Sequence, residues 1–150
     1  QTLGDIMKKY ASSGQVAWVY RHLPLEMLHT KAFREAIASE CAYAQKWNNG
    51  FWLYIDNLFS VTPSNDGLPL EELKNIAQRM GLSVSAFSAC LDDTKMGDRV
   101  SKDRGEAVNI GADGTPFSVI IAPDGSRTAL YGAQNFAQID QAIQVALSRK

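Results

Sequence analysis

The side chains able to carry covalent or acid–base chemistry in this sequence are few and widely spaced. The 150 residues include two cysteines, Cys41 and Cys90, and two histidines, His22 and His29. A reactive cysteine needs an exposed, electropositive setting that stabilises its thiolate, yet both cysteines fall on the apolar faces of predicted helices. Two interpretations follow from the residues alone: two unrelated core cysteines, or one structural disulfide that closes a long loop.

Metal binding is not indicated by this set of side chains. The histidines and cysteines do not occur at the close spacings of a metal site, and we expect neither a metal nor another cofactor. His22 ends a predicted strand and His29 lies in a connection, so neither histidine is assigned a catalytic role.

The segment Gly114-Thr115-Pro116 affects the backbone, because a proline at this point has no N–H to donate. It directly precedes the run Phe117–Ile121, whose β-branched residues are typical of a buried strand. A proline is tolerated at the first residue of a strand because it has no N–H to donate. A turn sequence, Ala-Pro-Asp-Gly-Ser, comes next and leads into Arg127–Tyr131. The sequence therefore predicts a β-hairpin with an X-Pro bond at its entrance.

The elements that must position this corner are mostly helices. Residues 1–13 have the apolar spacing of a helix, and residues 16–23 have the composition of a strand that Pro24 ends. The helix Phe136–Leu147 is predicted after the hairpin. Five more helices are predicted between the first strand and the hairpin, at residues 30–47, 51–61, 69–80, 83–91 and 95–110. This order indicates an α/β domain with an all-helical insertion.

Composition limits the classes of partner. A chain of 150 residues that is 45% hydrophobic can bury one real core. A formal net charge of −1 gives no reason to expect nucleic acid as a partner. No apolar run approaches the ~20 residues of a membrane span. The chain begins at Gln1 without a signal peptide, so a processed or partial chain is expected.

The order of elements resembles the DsbA-like branch of the thioredoxin superfamily, and the resemblance runs along nearly the whole chain. Its most specific part is the Thr-Pro corner. The local patterns that match are residues 19–25 (Val-Tyr-Arg-His-Leu-Pro-Leu), Cys41-Ala42 with Gln45 and then Gly50-Phe51-Trp52, Phe87 with Cys90-Leu91-Asp92, and Gly114-Thr115-Pro116-Phe117.

The resemblance implies a thioredoxin-like α/β fold in a single domain. The thioredoxin-like part would be residues 1–29 and 111–150, and the helical insertion residues 30–110. The family's active site is a Cys-x-x-Cys at the N-terminus of the first helix, and this sequence contains none. We expect that motif upstream of Gln1. The strand before that helix could come from the same protein, which we favour, or from another copy or chain, or the domain could close its sheet in another way.

The resemblance also assigns roles to residues of this chain. Gly114, Thr115 and Pro116 would bind substrate, with a cis Thr115–Pro116 bond and the Thr115 backbone pairing with an extended peptide. Thr115 would also tune the nearby thiolate. No catalytic residue is expected within the chain itself. Because related proteins carry a similar cysteine pair and the family is extracytoplasmic, a Cys41–Cys90 disulfide is favoured.

The implied function is a periplasmic, or otherwise extracytoplasmic, thiol–disulfide oxidoreductase. Its partners would be reduced or misoxidised proteins in extended conformation and a membrane redox partner. The alternative is a non-catalytic thioredoxin-fold module that binds peptides or acts as a chaperone. A glutathione-dependent enzyme of a related fold ranks below both, because no residue pattern indicates a glutathione site.

Overall fold

A computed structural model describes residues 2–10 and 13–149, and these residues form six helices and two strands. Described residues up to Arg21 join those from Val108 onward in a first compact unit, and His22–Ala107 make a second. The predicted domain boundaries at residues 29/30 and 110/111 stay a prediction. In chain order the elements are α1 (Thr2–Tyr10), α2 (Ala32–Val61), α3 (Glu72–Arg79), α4 (Val84–Leu91), α5 (Thr94–Asn109), β1 (Phe117–Ile121), β2 (Arg127–Tyr131) and α6 (Phe136–Leu147).

The first unit is built around the hairpin of β1 and β2, whose bounds are those that the sequence predicts. The strands pair antiparallel in a register that sets Phe117 opposite Tyr131. Asp124 and Gly125 form the turn: the Asp124 carboxylate accepts a hydrogen bond from the Ser126 N–H at 2.8 Å, and Gly125 has a φ of 82°. That φ favours glycine because a Cβ clashes there.

Helices α1 and α6 pack together in the same unit and cover the hairpin. Ile6, Tyr10 and Ile143 form its buried core, and Ile120 of β1 packs against them. The N-terminus of α6 is fixed by a capping box in which Asn135 and Gln138 satisfy each other's backbone N–H groups. The predicted bounds of α6 are confirmed.

The second unit has a larger, helical core. Helices α2, α3 and α4 pack on one another, and α5 adds Val100. Tyr54 and Phe87 are fully buried at its centre, with ring centroids 5.5 Å apart. The Tyr54 hydroxyl donates to the carbonyl oxygen of Leu73 at 2.9 Å, and burial raises the pKa of this phenol.

Helix α2 consists of two helical segments that meet at a kink, which agrees with the two helices that the sequence predicts. It runs from Ala32 to Val61 and is kinked at Lys46 and Trp47, where Trp47 has a φ of 53°. The predicted break at residues 48–50 is therefore wrong by a few residues. Gly50 is helical and buried, and a Cβ at this position would collide with the Ala42 carbonyl oxygen. The glycine is needed for this close approach and does not end the helix.

The strand predicted at residues 16–23 does not form. Side chains from Val16 to Tyr20 alternate between half-buried and exposed, as in a half-buried strand. A strand also needs a neighbour to bond with. Within the described part of the chain, the sheet consists of β1 and β2 alone. The alternating burial expected of a strand is therefore present in this segment, but within the described residues the predicted backbone hydrogen bonds to a neighbouring strand are not.

Among residues 2–10 and 13–149, no helix combines the length and the apolar character that a bilayer crossing requires.

Candidate functional site

The entrance to the hairpin forms a small concavity in the first unit. The peptide bond between Thr115 and Pro116 is cis, and β1 begins at the next residue. The Gly132 N–H donates to the Pro116 carbonyl oxygen at 3.0 Å and closes the open end of the hairpin. The concavity has a volume of about 220 Å³ and is lined by Asp113, Gly114, Thr115, Pro116, Phe117, Tyr131 and Gly132. The structure thus brings Gly114, Thr115 and Pro116 together.

The backbone of Thr115 is available for binding. Among the described residues, neither its N–H nor its carbonyl oxygen takes part in a hydrogen bond. Thr115 lies two residues before the start of β1, where an extended peptide can pair with it as a short strand. Pro116 has no N–H of its own to be satisfied. The arrangement can therefore hold a peptide by its backbone, with little dependence on the peptide's side chains.

Two residues of the concavity were missed at the sequence level. Tyr131 is 59% exposed, although its ring meets the half-buried ring of Phe117 edge to face at a centroid distance of 5.1 Å. Asp113 is exposed and also lines the concavity. The hairpin register could have identified Tyr131, because it is the direct cross-strand partner of Phe117. No sequence pattern distinguished Asp113 from other loop carboxylates.

The two cysteines lie in the second unit, and their surroundings are not those of a reactive thiol. The structure links Cys41 of α2 to Cys90 of α4 in a disulfide, with the Cα atoms 5.7 Å apart. Cys41 is fully buried in the helical core, and Cys90 packs against that core. Residues 2–10 and 13–149 contain no free thiol. They also contain no group of histidine, cysteine or carboxylate side chains arranged to hold a metal.

A buried charged network joins α2 and α5 in the second unit. His22 and Glu40 are each less than 5% exposed as residues, and the His22 Nε2 lies 2.9 Å from the Glu40 Oε1. Arg99 reaches in from the surface, with its Nε 2.7 Å from the other oxygen of Glu40. Asp103 accepts a hydrogen bond from the His22 N–H at 3.1 Å. His22 is thus a structural residue, and Arg99 and Asp103 do more than cover a solvated helix face.

A polar contact fixes the C-terminal part of α1 against α6. The Asp140 carboxylate accepts hydrogen bonds from Lys9 at 2.6 Å and from the Tyr10 hydroxyl at 2.7 Å. Gln144 donates to the Tyr10 oxygen at 2.7 Å. The bonds from Lys9 and then Tyr10 lower the pKa of Asp140, and burial raises the pKa of Tyr10. This contact sets the direction of α1, whose N-terminus carries the positive end of the helix dipole.

The fold and the corner together define a class of protein. A β-hairpin with a proline at its mouth, followed by a helix and preceded by a helical region, is a thioredoxin-like arrangement. Residues 54–144 match the family of DSBA-like thioredoxin domains, which is more than half of the chain. The chain belongs to this family, and the predicted fold class and resemblance are confirmed.

Solved structures of DsbA proteins superpose on the chain. DsbA2 of Pseudomonas aeruginosa gives a TM-score of 0.79 at 25% identity, covering 99% of this chain and 81% of DsbA2. Alpha-DsbA1 of Wolbachia pipientis gives 0.71 at 23% identity, over 96% of this chain and 74% of that protein. A putative protein disulfide isomerase from Nitrosomonas europaea gives 0.64 at 16% identity, over 98% of this chain and 72% of that protein.

Curated relatives by sequence are much longer proteins. The Na(+)/H(+) antiporter NhaA of Herminiimonas arsenicoxydans is 36% identical over 99 residues, which are 66% of this chain and 14% of the antiporter. The Na(+)/H(+) antiporter NhaA 3 of Salinispora tropica is 29% identical over 144 residues, 96% of this chain and 20% of the antiporter. The chain therefore spans a fifth or less of the length of these relatives.

Proposed function

We propose that this chain is the peptide-binding part of a thiol–disulfide oxidoreductase that acts on extracytoplasmic proteins. The observation that carries the proposal is the Thr115 backbone, which has no hydrogen-bond partner among the described residues and lies at the mouth of β1. Gly114 and Pro116 flank it, and neither places a side-chain donor or acceptor there. An extended polypeptide supplies the matching backbone groups.

The redox cysteines belong, in this proposal, to a Cys-x-x-Cys that precedes Gln1 in the intact protein. A thiolate at the N-terminus of the helix that includes α1 is stabilised by the helix dipole and free N–H groups. In the oxidising direction, a substrate thiolate attacks the Cys-x-x-Cys disulfide and forms a mixed disulfide. A second substrate thiolate then attacks the substrate sulfur of that bond, which leaves the substrate oxidised and the enzyme as a dithiol. Thr115 holds the substrate backbone during both steps.

The partners follow from this chemistry. Substrates are reduced or misoxidised proteins in extended conformation, because only an extended segment pairs with the corner. A membrane redox partner returns the enzyme to its disulfide form, as the family resemblance implies. The Cys41–Cys90 disulfide in the second unit supports a periplasmic or other oxidising compartment, because disulfides are rare where thiols are kept reduced.

The sheet supports the idea that a further strand joins β1. Among the described residues β1 pairs with β2 alone, and an open edge of apolar residues is a site for strand addition. A strand from the segment before α1 fits the proposed position of the Cys-x-x-Cys. A strand from another copy or chain is the alternative source.

A second function is favoured by the curated relatives. Both are Na(+)/H(+) antiporters by name, and this chain matches only a small part of each. In that setting the domain would be a non-catalytic module that binds peptide segments beside a transporter. The sequence before Gln1 separates the two functions: a Cys-x-x-Cys supports the oxidoreductase, and its absence supports the module.

The test compares the intact protein with the 150-residue chain. Both are assayed for reduction of insulin disulfides and for oxidation of a reduced model protein. Turnover by the intact protein and none by the chain supports the proposal. Peptide binding without turnover by the intact protein supports the module. Turnover by the chain alone contradicts the proposal, because Cys41 or Cys90 would then have to react.

A further inference from the structure

We propose that Asp113 is a site of spontaneous succinimide formation and isoaspartate accumulation. Asp113 is exposed and directly precedes Gly114 in the concavity at the hairpin entrance. The modification is a property of the chain's own backbone, and only its consequence for peptide binding rests on the proposed function.

The reaction needs no reagent other than water. The backbone nitrogen of Gly114 attacks the side-chain carboxyl carbon of Asp113, and a C–N bond forms as one molecule of water leaves. Water then opens the five-membered imide at either carbonyl. Attack at the side-chain carbonyl restores aspartate, and attack at the main-chain carbonyl leaves isoaspartate, whose backbone runs through the side chain. Water is lost and regained, so no oxidation or net change in composition occurs.

Four steps in the sequence have the required Asx–Gly chemistry, and the structure distinguishes them. They are Asn49–Gly50, Asp66–Gly67, Asp113–Gly114 and Asp124–Gly125. Ring closure requires a carboxyl group that is free to rotate and a glycine nitrogen that is free to approach it. Each hydrogen bond on either group must break first, which lowers the rate.

The Asp124–Gly125 step is held on both sides. The Asp124 carboxylate accepts from the Ser126 N–H at 2.8 Å, and the Gly125 N–H donates to the Ala122 carbonyl oxygen at 2.9 Å. The hydrogen bond from Ser126 also lowers the pKa of Asp124. A lower pKa reduces the fraction of protonated carboxyl, which is the form that loses water.

The Asp66–Gly67 step is held in the same way. The Asp66 carboxylate accepts from the N–H groups of Thr30 at 2.9 Å and Lys31 at 3.2 Å. Although partial desolvation acts in the opposite direction, these bonds lower the pKa of Asp66. The Gly67 N–H donates to the Ser64 carbonyl oxygen at 2.9 Å.

The Asn49–Gly50 step lies inside helix α2. Gly50 is buried against the Ala42 carbonyl oxygen and the Cβ of Lys46, so its backbone has no room to swing towards the Asn49 side chain. An Asn–Gly step is intrinsically the faster chemistry, but here the close packing of Gly50 must loosen before the ring can close.

The Asp113–Gly114 step has none of these restraints. Among the described residues, neither the Asp113 carboxylate nor the Gly114 N–H takes part in a hydrogen bond. A Cβ built on Gly114 would meet no atom within 4 Å outside its chain neighbours, so the backbone has space to rearrange. Of the four steps, this one can reach the cyclic geometry without breaking a contact.

The modification would alter the peptide-binding corner. Isoaspartate adds one methylene to the main chain two residues before Thr115. The Thr115 N–H and carbonyl oxygen are then displaced relative to β1, and strand-like pairing depends on their register. Ageing of the protein at this position is therefore expected to weaken peptide binding while the helical unit stays intact.

The test is a site-by-site measurement on the intact protein, incubated at neutral pH and physiological temperature in water enriched in heavy oxygen. Digestion with Asp-N, which does not cleave at isoaspartate, and electron-transfer fragmentation locate the modified residue and its incorporated oxygen. We expect isoaspartate at Asp113 to accumulate about tenfold faster than at Asp66 or Asp124, a ratio equivalent to ~1.4 kcal/mol and to one or two hydrogen bonds. Equal rates at the three aspartates, or a faster rate at Asp124, would overturn the proposal.

Two variants complete the design. Gly114→Ala should fold normally because its Cβ has open space, and it should slow the modification sharply because a side chain hinders the nitrogen. Asp124→Glu is the matched control and should leave the rate at Asp113 unchanged. A Gly114→Ala protein that modifies as fast as the parent contradicts the mechanism. These readouts use no substrate, so they hold or fail independently of the proposed redox function.

Discussion

Replacement of Glu40 should show how strongly burial increases the contribution of an ion pair to stability. The Glu40 side chain is 5% exposed, and its two oxygens lie 2.9 Å from the His22 Nε2 and 2.7 Å from the Arg99 Nε. Glu40→Gln keeps the volume of the side chain and removes its charge. No cavity forms, so the change in stability reports the loss of the charge and of one acceptor oxygen.

The expected cost follows from what each contact loses. A hydrogen bond to a charged group contributes about 1.5–3 kcal/mol and a neutral one about 0.5–1.5 kcal/mol. Gln has a single acceptor oxygen, so one contact keeps an acceptor without the carboxylate charge and the other loses its acceptor. Together these losses reduce the free energy of unfolding by about 2–3 kcal/mol, near the lower end of the 3–5 kcal/mol seen when one partner of a buried pair is removed. For a chain of this size, that loss corresponds to roughly 5–10 °C in Tm.

The assay is urea unfolding followed by tryptophan fluorescence, with an unchanged m-value as evidence that only stability has changed. Asp92→Asn is the matched control: Asp92 lies 2.8 Å from Arg34, but the two side chains are 73% and 40% exposed. This exposed pair should contribute no more than about 1 kcal/mol. Equal losses for Glu40→Gln and Asp92→Asn would refute the reasoning, because burial would then make no difference.

Three further predictions concern other parts of the chain. Reduction of the Cys41–Cys90 bridge, which joins residues 49 apart, should lower the free energy of unfolding by about 4 kcal/mol in the chain-entropy model. Urea midpoints with and without reductant measure this loss. Alkylation of two free thiols before any reduction would contradict the prediction. The hydrogen bonds from Lys9 and Tyr10 lower the pKa of Asp140 in the folded state below its ordinary value of 3.8. Their contribution to stability is therefore complete above the unfolded-state pKa and is lost as the pH falls through the folded-state pKa. Asp140→Asn should flatten the acid limb of a plot of urea stability against pH. Tyr131→Ala should weaken binding of an extended peptide about two- to tenfold by calorimetry, since an aromatic contact contributes ~0.5–1.5 kcal/mol, and unchanged affinity would place the peptide elsewhere.

The hairpin and α6 could be predicted to the residue because their determinants are local. Asp124 and Gly125 supply the turn chemistry, and the apolar spacing from Phe136 onward specifies one helix face. The strand at residues 16–23 could not be predicted in this way. Its side chains show the expected alternation, but a strand depends on a neighbour that local sequence does not specify.

The kink in α2 shows a second limit of local patterns. Asn-Asn-Gly is a common helix-ending sequence, yet Gly50 lies inside the helix because the Ala42 carbonyl oxygen approaches it closely. The unusual backbone occurs earlier, at Lys46 and Trp47. A close approach between distant turns of a helix depends on packing. Until that packing is known, the same glycine can be interpreted either as the end of a helix or as a close-contact position within one.

The candidate site was partly predictable. Gly114, Thr115 and Pro116 were identified through the resemblance of the chain's element order and Thr-Pro corner to the DsbA-like family, because a proline that opens a strand is not distinctive by itself. Tyr131 became visible only with the hairpin register, and the pairing of Glu40 with His22 only with the helical packing. Buried charges are difficult to find from sequence because a polar residue in a helical pattern is ordinarily assigned to the solvent-facing side.

We propose that this chain positions substrates for redox cysteines that precede Gln1. The most direct measurement is identification, by mass spectrometry, of the protein cysteine that forms a mixed disulfide with a cysteine-containing peptide when the intact protein is trapped during turnover. We expect a cysteine located before Gln1, with Cys41 and Cys90 still joined to each other. A mixed disulfide at Cys41 or Cys90, or none at any cysteine, would contradict it.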